Sequence, residues 1–195
     1  GVGLGVVGRA SHRAARPAAL SPPLHPARPA RGRHPGAVSV HAAGADFTLR
    51  RDNSLSLDGW RQLATATVAR ADEVAAGLAD EIKHELAFLE DNCQTDLPRG
   101  VINADLFPDN VFLLNNHISG LIDFYFACND FLAYDLMVCL NAWCFEQPNA
   151  INVTKARALL HGYSEHRQLT EPEMTALPIL ARGAAMRFLL TRLYD

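Results

Sequence analysis

The sequence predicts a mainly α-helical domain with one small β-hairpin, from two patterns and one absence. Leu78, Ile82, Leu86 and Leu89 recur at i, i+4, i+8 and i+11, a helical apolar stripe, while Asp80, Glu81, Lys83 and Glu85 fall on other faces. Two short apolar runs, VFLL (Val111–Leu114) and ISGLIDF (Ile118–Phe124), are separated only by NNH, the spacing of a hairpin with a three-residue loop. Nowhere do strands alternate with helices as a doubly wound sheet requires.

The elements follow in chain order. Residues 1–40 carry six arginines, no acid and six of the 11 prolines, with no apolar period of either kind. Prolines at that density interrupt a helix, so residues 1–41 are expected to be disordered and 42–195 to form one domain. A basic nucleic-acid-binding arm, an Arg-rich transit peptide and an out-of-frame stretch are the alternative readings of that segment. Order is expected from about Asp46, with helix through to Asn92. Pro98 and Gly100 in QTDLPRG then end the helical pattern. Beyond the hairpin, FLAYDLMVCLNAWCF is apolar on all sides, the mark of a buried helix. NVTKARALLHGYSEHR is amphipathic, with Thr154 as its entry cap. TEPE is a capping box on Thr170 and Glu173. Pro178 should break or kink the helix it opens, leaving RGAAMRFLLTRLYD as a separate final helix. That helix meets Asp195 with no stop signal, so the chain reads as cut within an element.

Composition narrows the function. The 195 residues are 49% hydrophobic and carry a net charge of −3, and residues 41–195 alone carry −9, which argues against a nucleic-acid binder. No apolar run approaches the roughly 20 residues of a membrane span. The four cysteines (Cys93, Cys128, Cys139 and Cys144) form no CxxC pair, and the eight histidines show no metal-ligand spacing. Free thiols in a reducing compartment, and hence a cytoplasmic location, are the expectation.

The chemistry lies between Asn103 and Asp123. Asp105 and Asn110 sit in the loop that feeds the first hairpin strand, and Asp123 sits at the far end of the second. A hairpin folds those ends together although they are 18 positions apart. Convergent Asn and Asp oxygens suit Mg²⁺, a hard cation that takes few protein ligands and leaves room for phosphate oxygens. A further carboxylate held off the metal can accept a proton from an attacking hydroxyl. Together these are the parts for phosphoryl transfer to an alcohol.

NADLFPDN followed by LIDF resembles the catalytic loop and metal-binding segment of the protein-kinase-like phosphotransferases, in their aminoglycoside/choline kinase branch. The longer string from Ala104 to Glu146, with AGADFTLRRDNSLSLDGWR and RGAAMRFLLTRLYD, resembles the homoserine kinases of that branch. The resemblance covers about residues 42–195 and implies a kinase-like C-terminal lobe, with ATP and L-homoserine as substrates and Mg²⁺ as cofactor. It implies Asp105 as catalytic base, Asn110 and Asp123 as metal ligands, and Phe124 packed behind the metal-binding turn. Asn103, where the family has His, and Asp135 would support the loop; Asp135 reads equally as an N-terminal helix charge. Tyr125, Asn141 and Trp143 are candidates near the acceptor pocket, with core packing the plainer role for Trp143. Arg187 could grip an acceptor carboxylate bidentately, or serve a structural ion pair.

One part of the family pattern is missing from the sequence. No run of strands, phosphate loop and strand lysine precedes the match; the only lysines are Lys83 and Lys155, both in helical patterns, and GVGLGVVG lacks a following Lys. The chain therefore reads as the C-terminal lobe without its N-terminal lobe, and weak turnover is expected. A choline-like or aminoglycoside-like kinase and a non-catalytic binding module are the other functional readings.

Overall fold

The computed structural model describes residues 36–115, 117–146 and 150–195. The expectations for residues 1–35, GVGLGVVG included, lie outside the described residues.

The first described element is a helix, α1 (Gly36–Ala43). Ala37, Val38, Val40 and His41 are buried in it, so the expected boundary at residue 41 falls inside a packed element. The alternation of small residues in GAVSVHAA hid this, because a helix of eight residues carries too little apolar period to register. The predicted helical region resolves into α2 (Leu57–Thr67), a 3-10 turn, the single turn α3 (Ala71–Val74) and α4 (Leu78–Asn92). The α4 stripe faces inward as expected, with Leu78, Ile82 and Leu89 buried.

Three two-stranded antiparallel ladders follow where one hairpin was expected. The expected pair is β2 (Val111–Leu114) with β3 (His117–Leu121). Leu114 pairs with His117, so the connection is one residue shorter than predicted. A register shift after Phe112 absorbs the difference. The ladder of β1 (Arg99–Ile102) with β4 (Cys128–Phe131) went unseen, because neither four-residue strand alternates apolar and polar residues. It nonetheless frames everything that follows: β1 leads into the Asp105 loop, and β4 leads out of the Asp123 turn.

Helix α5 (Leu132–Cys144) is buried from Ala133 to Leu140, as its all-round apolarity demanded. The short ladder β5 (Phe145–Glu146) with β6 (Ala150–Ile151) connects it to α6 (Val153–Ser164). Asn152, not Thr154, caps α6, accepting the Lys155 N–H at 3.0 Å. The last element, α7 (Glu171–Tyr194), is one helix of 24 residues rather than two. Its capping box on Thr170 and Glu173 forms as predicted. Pro178 does not end it. Both Pro178 and Met174, whose carbonyl loses its donor, lie on the exposed face where water can satisfy the freed group. The inner face of α7 lies against α2, α4 and α5. At Gly183 a Cβ would stand 2.6 Å from the Trp60 ring, so this close approach of α2 and α7 needs a residue without a side chain.

Candidate active site

The Asp105 loop leaves β1 through two buried residues, Asn103 and Ala104. Ala104 adopts a left-handed backbone (φ 63°), a conformation that costs a non-glycine residue roughly 1 to 3 kcal/mol and needs support. Support comes from both sides. The Asp135 carboxylate on α5 accepts the Ala104 N–H at 2.7 Å and the Asn103 N–H at 3.3 Å. From α7, the Arg187 guanidinium donates to the Ala104 carbonyl. Asn103 adds an internal turn, its Oδ1 accepting the Asp105 N–H at 3.0 Å. Further along, Trp143 Nε1 donates to the Leu106 carbonyl at 2.7 Å.

Asp105 is thereby held at the edge of the core. Its side chain is 19% exposed, with Arg187 Nη2 at 3.5 Å from Oδ1 and Asn110 Nδ2 at 3.4 Å from Oδ2. Desolvation pushes its carboxyl above the ordinary aspartate value; Arg187 opposes that rise, and the Asp123 charge adds to it. Asn110 closes the loop, donating from Nδ2 to the Asp105 carbonyl at 2.9 Å. That bond commits the amide nitrogen and not the side-chain oxygen. The Asn110 carbonyl in turn accepts the Ile122 N–H at 3.0 Å, which stitches the Asp123 turn to the Asp105 loop. Asp123 is exposed, in a left-handed conformation (φ 58°), and its carboxylate accepts the Tyr125 N–H at 3.4 Å. The two segments predicted to converge therefore do so, through the hairpin and one main-chain bond across its base.

The cleft beside Asp105 is lined by Phe107 and Phe126 and, from the end of the chain, by Arg187, Phe188, Thr191, Arg192 and Asp195. Arg187 is 2% exposed, wedged between Phe126 (5.0 Å) and Phe188 (4.5 Å), and already spent on the loop. Arg192 is exposed, and its guanidinium lies 5.5 Å from the same Phe188 ring. Phe124, expected to pack behind the turn, is 49% exposed; Phe126, beyond the left-handed turn at Asp123, is the ring that packs inward. Tyr125 is 71% exposed, its carbonyl held by Arg51 at 2.6 Å. Asn141 is taken up between helices, donating to the Ala181 carbonyl at 2.8 Å. The sequence reading named neither Phe126 and Arg192, which line the cleft, nor His41, whose Nε2 lies 3.0 Å from Asp135 Oδ2. Neither Arg192 nor His41 had a local signal: Arg192 stands five positions past Arg187, a spacing that helix periodicity does not bring to one face, and the partners of His41 are far away in sequence.

A model of the phosphotransferase enzyme family matches residues 9–169. The chain belongs to that family. The phosphotransferase fold is also met in a solved structure, the aminoglycoside-3'-phosphotransferase of type VIII, with a TM-score of 0.56 at 22% identity over 86% of this chain and 66% of that one. Relatives of this chain include the homoserine kinase of Rhizobium meliloti (strain 1021), 63% identical over 158 residues, which are 81% of this chain and 48% of the relative. The homoserine kinase of Xanthobacter autotrophicus (strain ATCC BAA-1158 / Py2) is 62% identical over 160 residues, 82% of this chain and 50% of the relative. The chain thus spans about half the length of the curated relatives it matches. The family read from NADLFPDN and LIDF is the family found.

The donors fit a hard cation. The carboxylates of Asp105 and Asp123 and the carboxamide of Asn110 offer oxygen donors, and among the described residues no cluster of three or more His, Cys, Asp and Glu competes as a metal site. All four cysteines are free, and burial pushes the Cys128 thiol up to about 12. No described helix is long and apolar enough to cross a membrane.

Proposed function

We propose that this chain supplies the catalytic loop of an ATP-dependent alcohol kinase that converts L-homoserine to O-phospho-L-homoserine. The observation that carries the reading is the closure of the Asp123 turn onto the Asp105–Asn110 loop, with Asp105 anchored from the core and Asp123 exposed. Identity near 60% to relatives named homoserine kinase supports the acceptor.

In this reading Asp105 accepts the proton of the acceptor hydroxyl as its oxygen bonds to the γ-phosphorus and the bond to the ADP oxygen breaks. The raised carboxyl makes Asp105 a better base than a free aspartate, and Arg187 keeps it ionised and aimed. Asn110 and Asp123 would hold Mg²⁺, which neutralises phosphate charge when bound. Arg187 is too committed to grip the acceptor; Arg192, exposed at the cleft wall beside Thr191, is the better carboxylate anchor.

The test is homoserine-dependent ADP release in the presence of Mg²⁺. It is measured on this chain alone, and on the chain fused to the part of the Rhizobium meliloti relative that the match leaves uncovered. The chain alone is expected to turn over slowly or not at all. The fusion is expected to be active, and Asp105→Asn should lower its rate about 10²- to 10⁴-fold. Undiminished activity of that variant would remove Asp105 from the mechanism. Release stimulated by choline or an aminoglycoside but not by homoserine would replace the acceptor.

A further inference from the structure

The Asp135 carboxylate that pins the Asp105 loop is wholly buried, and no lysine or arginine in the described residues pairs with it. Its third donor comes from a distant part of the chain. His41 on α1, 94 positions away, places Nε2 at 3.0 Å from Asp135 Oδ2, the same oxygen that receives the Asn103 N–H. The other ring nitrogen, Nδ1, lies 3.0 Å from the Tyr163 hydroxyl on α6, and that ring is itself fully buried. Arg167 Nη1 donates to the Tyr163 oxygen at 3.2 Å, and Arg167 Nη2 reaches Glu173, the capping-box acid of α7, at 2.8 Å.

Donor direction orders this chain of contacts. Arg167 can only donate, so the Tyr163 oxygen accepts from it and the Tyr163 proton is free to go to His41. Nδ1 then accepts, and Nε2 carries the hydrogen that meets Asp135. Every group in the line is satisfied by that one arrangement. The alternative tautomer leaves the Tyr163 proton without an acceptor and sets a bare nitrogen against a buried carboxylate.

We propose that His41 is a positioning residue for phosphoryl transfer: fixed by Tyr163, it orients Asp135, which locks Asn103 and Ala104 and so aims Asp105. The importance of that aim rests on the proposed role of Asp105, but the orientation itself does not. His41 belongs to α1, outside the loop and the cleft, so nothing about the cleft requires it except this bond.

The experiment follows amide hydrogen exchange, residue by residue, in the ¹⁵N-labelled chain. His41→Leu should speed exchange of the Asn103 and Ala104 amides about tenfold relative to amides within α7, since the loop loses a buried charge-assisted support. His41→Gln, whose amide can donate to Asp135, should restore most of the protection. Tyr163→Phe keeps the packed ring, loses only the hydroxyl and should give a smaller rise at the same two amides. It decides the matter if His41→Leu does not fold. Unchanged loop amides, or an equal rise in loop and α7, would overturn the proposal by showing a packing role only. In the active fusion, His41→Leu should lower kcat with little change in KM for ATP, and His41→Gln should recover it. A fusion without activity would sink the kinase reading while leaving the exchange result to judge His41.

Discussion

The two arms of the candidate site are built differently. The Asp105 arm is gripped from beneath: Asp135, Arg187 and Trp143 bond its backbone, and Asn103 and Ala104 are excluded from solvent. The Asp123 arm lies outside. Ile122, Phe124 and Tyr125 are exposed apolar residues around it, and the Ile122 N–H, the Arg51 contact and one long bond to Asp123 hold it. On the roles proposed above, the difference has a reason: a base must be aimed to within a fraction of an ångström, and buried hydrogen bonds do that. An arm that meets a cation and its phosphates needs exposure and some adjustment, and few buried contacts permit it.

The comparison breaks most directly at Asp135. Asp135→Ala leaves two main-chain N–H groups and His41 without an acceptor in the core, and should destabilise the chain by about 3 to 5 kcal/mol in urea unfolding. A loss under 1 kcal/mol would mean the loop is held some other way. Gly183→Ala probes the α2–α7 contact one turn before Arg187, which holds the Asp105 arm. The new methyl meets the Trp60 ring, and about 1 to 3 kcal/mol of destabilisation is expected, with a lowered melting temperature.

Asp105 itself should show the reverse sign. Its folded carboxyl lies above the ordinary value, so the folded state prefers the protonated form. The stability it contributes is complete below about pH 3.9 and is lost as pH rises through the raised value. Asp105→Asn should therefore gain in melting temperature relative to the parent on going from acid to neutral pH. A difference independent of pH would contradict the desolvation described for this carboxyl. The smallest effect belongs to the outer arm. Asp123→Asn should change stability by no more than about 0.5 kcal/mol. In the active fusion the same change should raise the Mg²⁺ concentration needed for half-maximal rate. A large loss of stability would show that the outer arm is anchored after all.

The parts of the fold and site that were legible are those written in short-range pattern. The α4 stripe, the β2–β3 hairpin, the Thr170–Glu173 box and the all-apolar α5 each rest on neighbours within a few positions. So does the Asp105–Asn110 spacing. The misreadings share another cause. Pro178 was taken for a break because its tolerance depends on which face of α7 meets water. Phe124 was placed inward because the left-handed turn at Asp123 is invisible in the letters. His41 was passed over because its partners, Asp135 and Tyr163, stand 94 and 122 residues away.

From sequence alone come the chemical inventory and the local elements: which oxygens are available, which segments coil, and where a hairpin returns Asp123 toward Asp105. Periodicity and turn chemistry act over a few residues, so the order of residues suffices to set them. Tertiary structure alone decided that Arg187 is buried and committed to the loop while Arg192 is exposed, that α1 belongs to the packed core, and that Asp135 braces the loop rather than merely charging a helix end. Those outcomes depend on desolvation and on the direction of buried hydrogen bonds. Both exist only once distant segments have closed around the same few atoms.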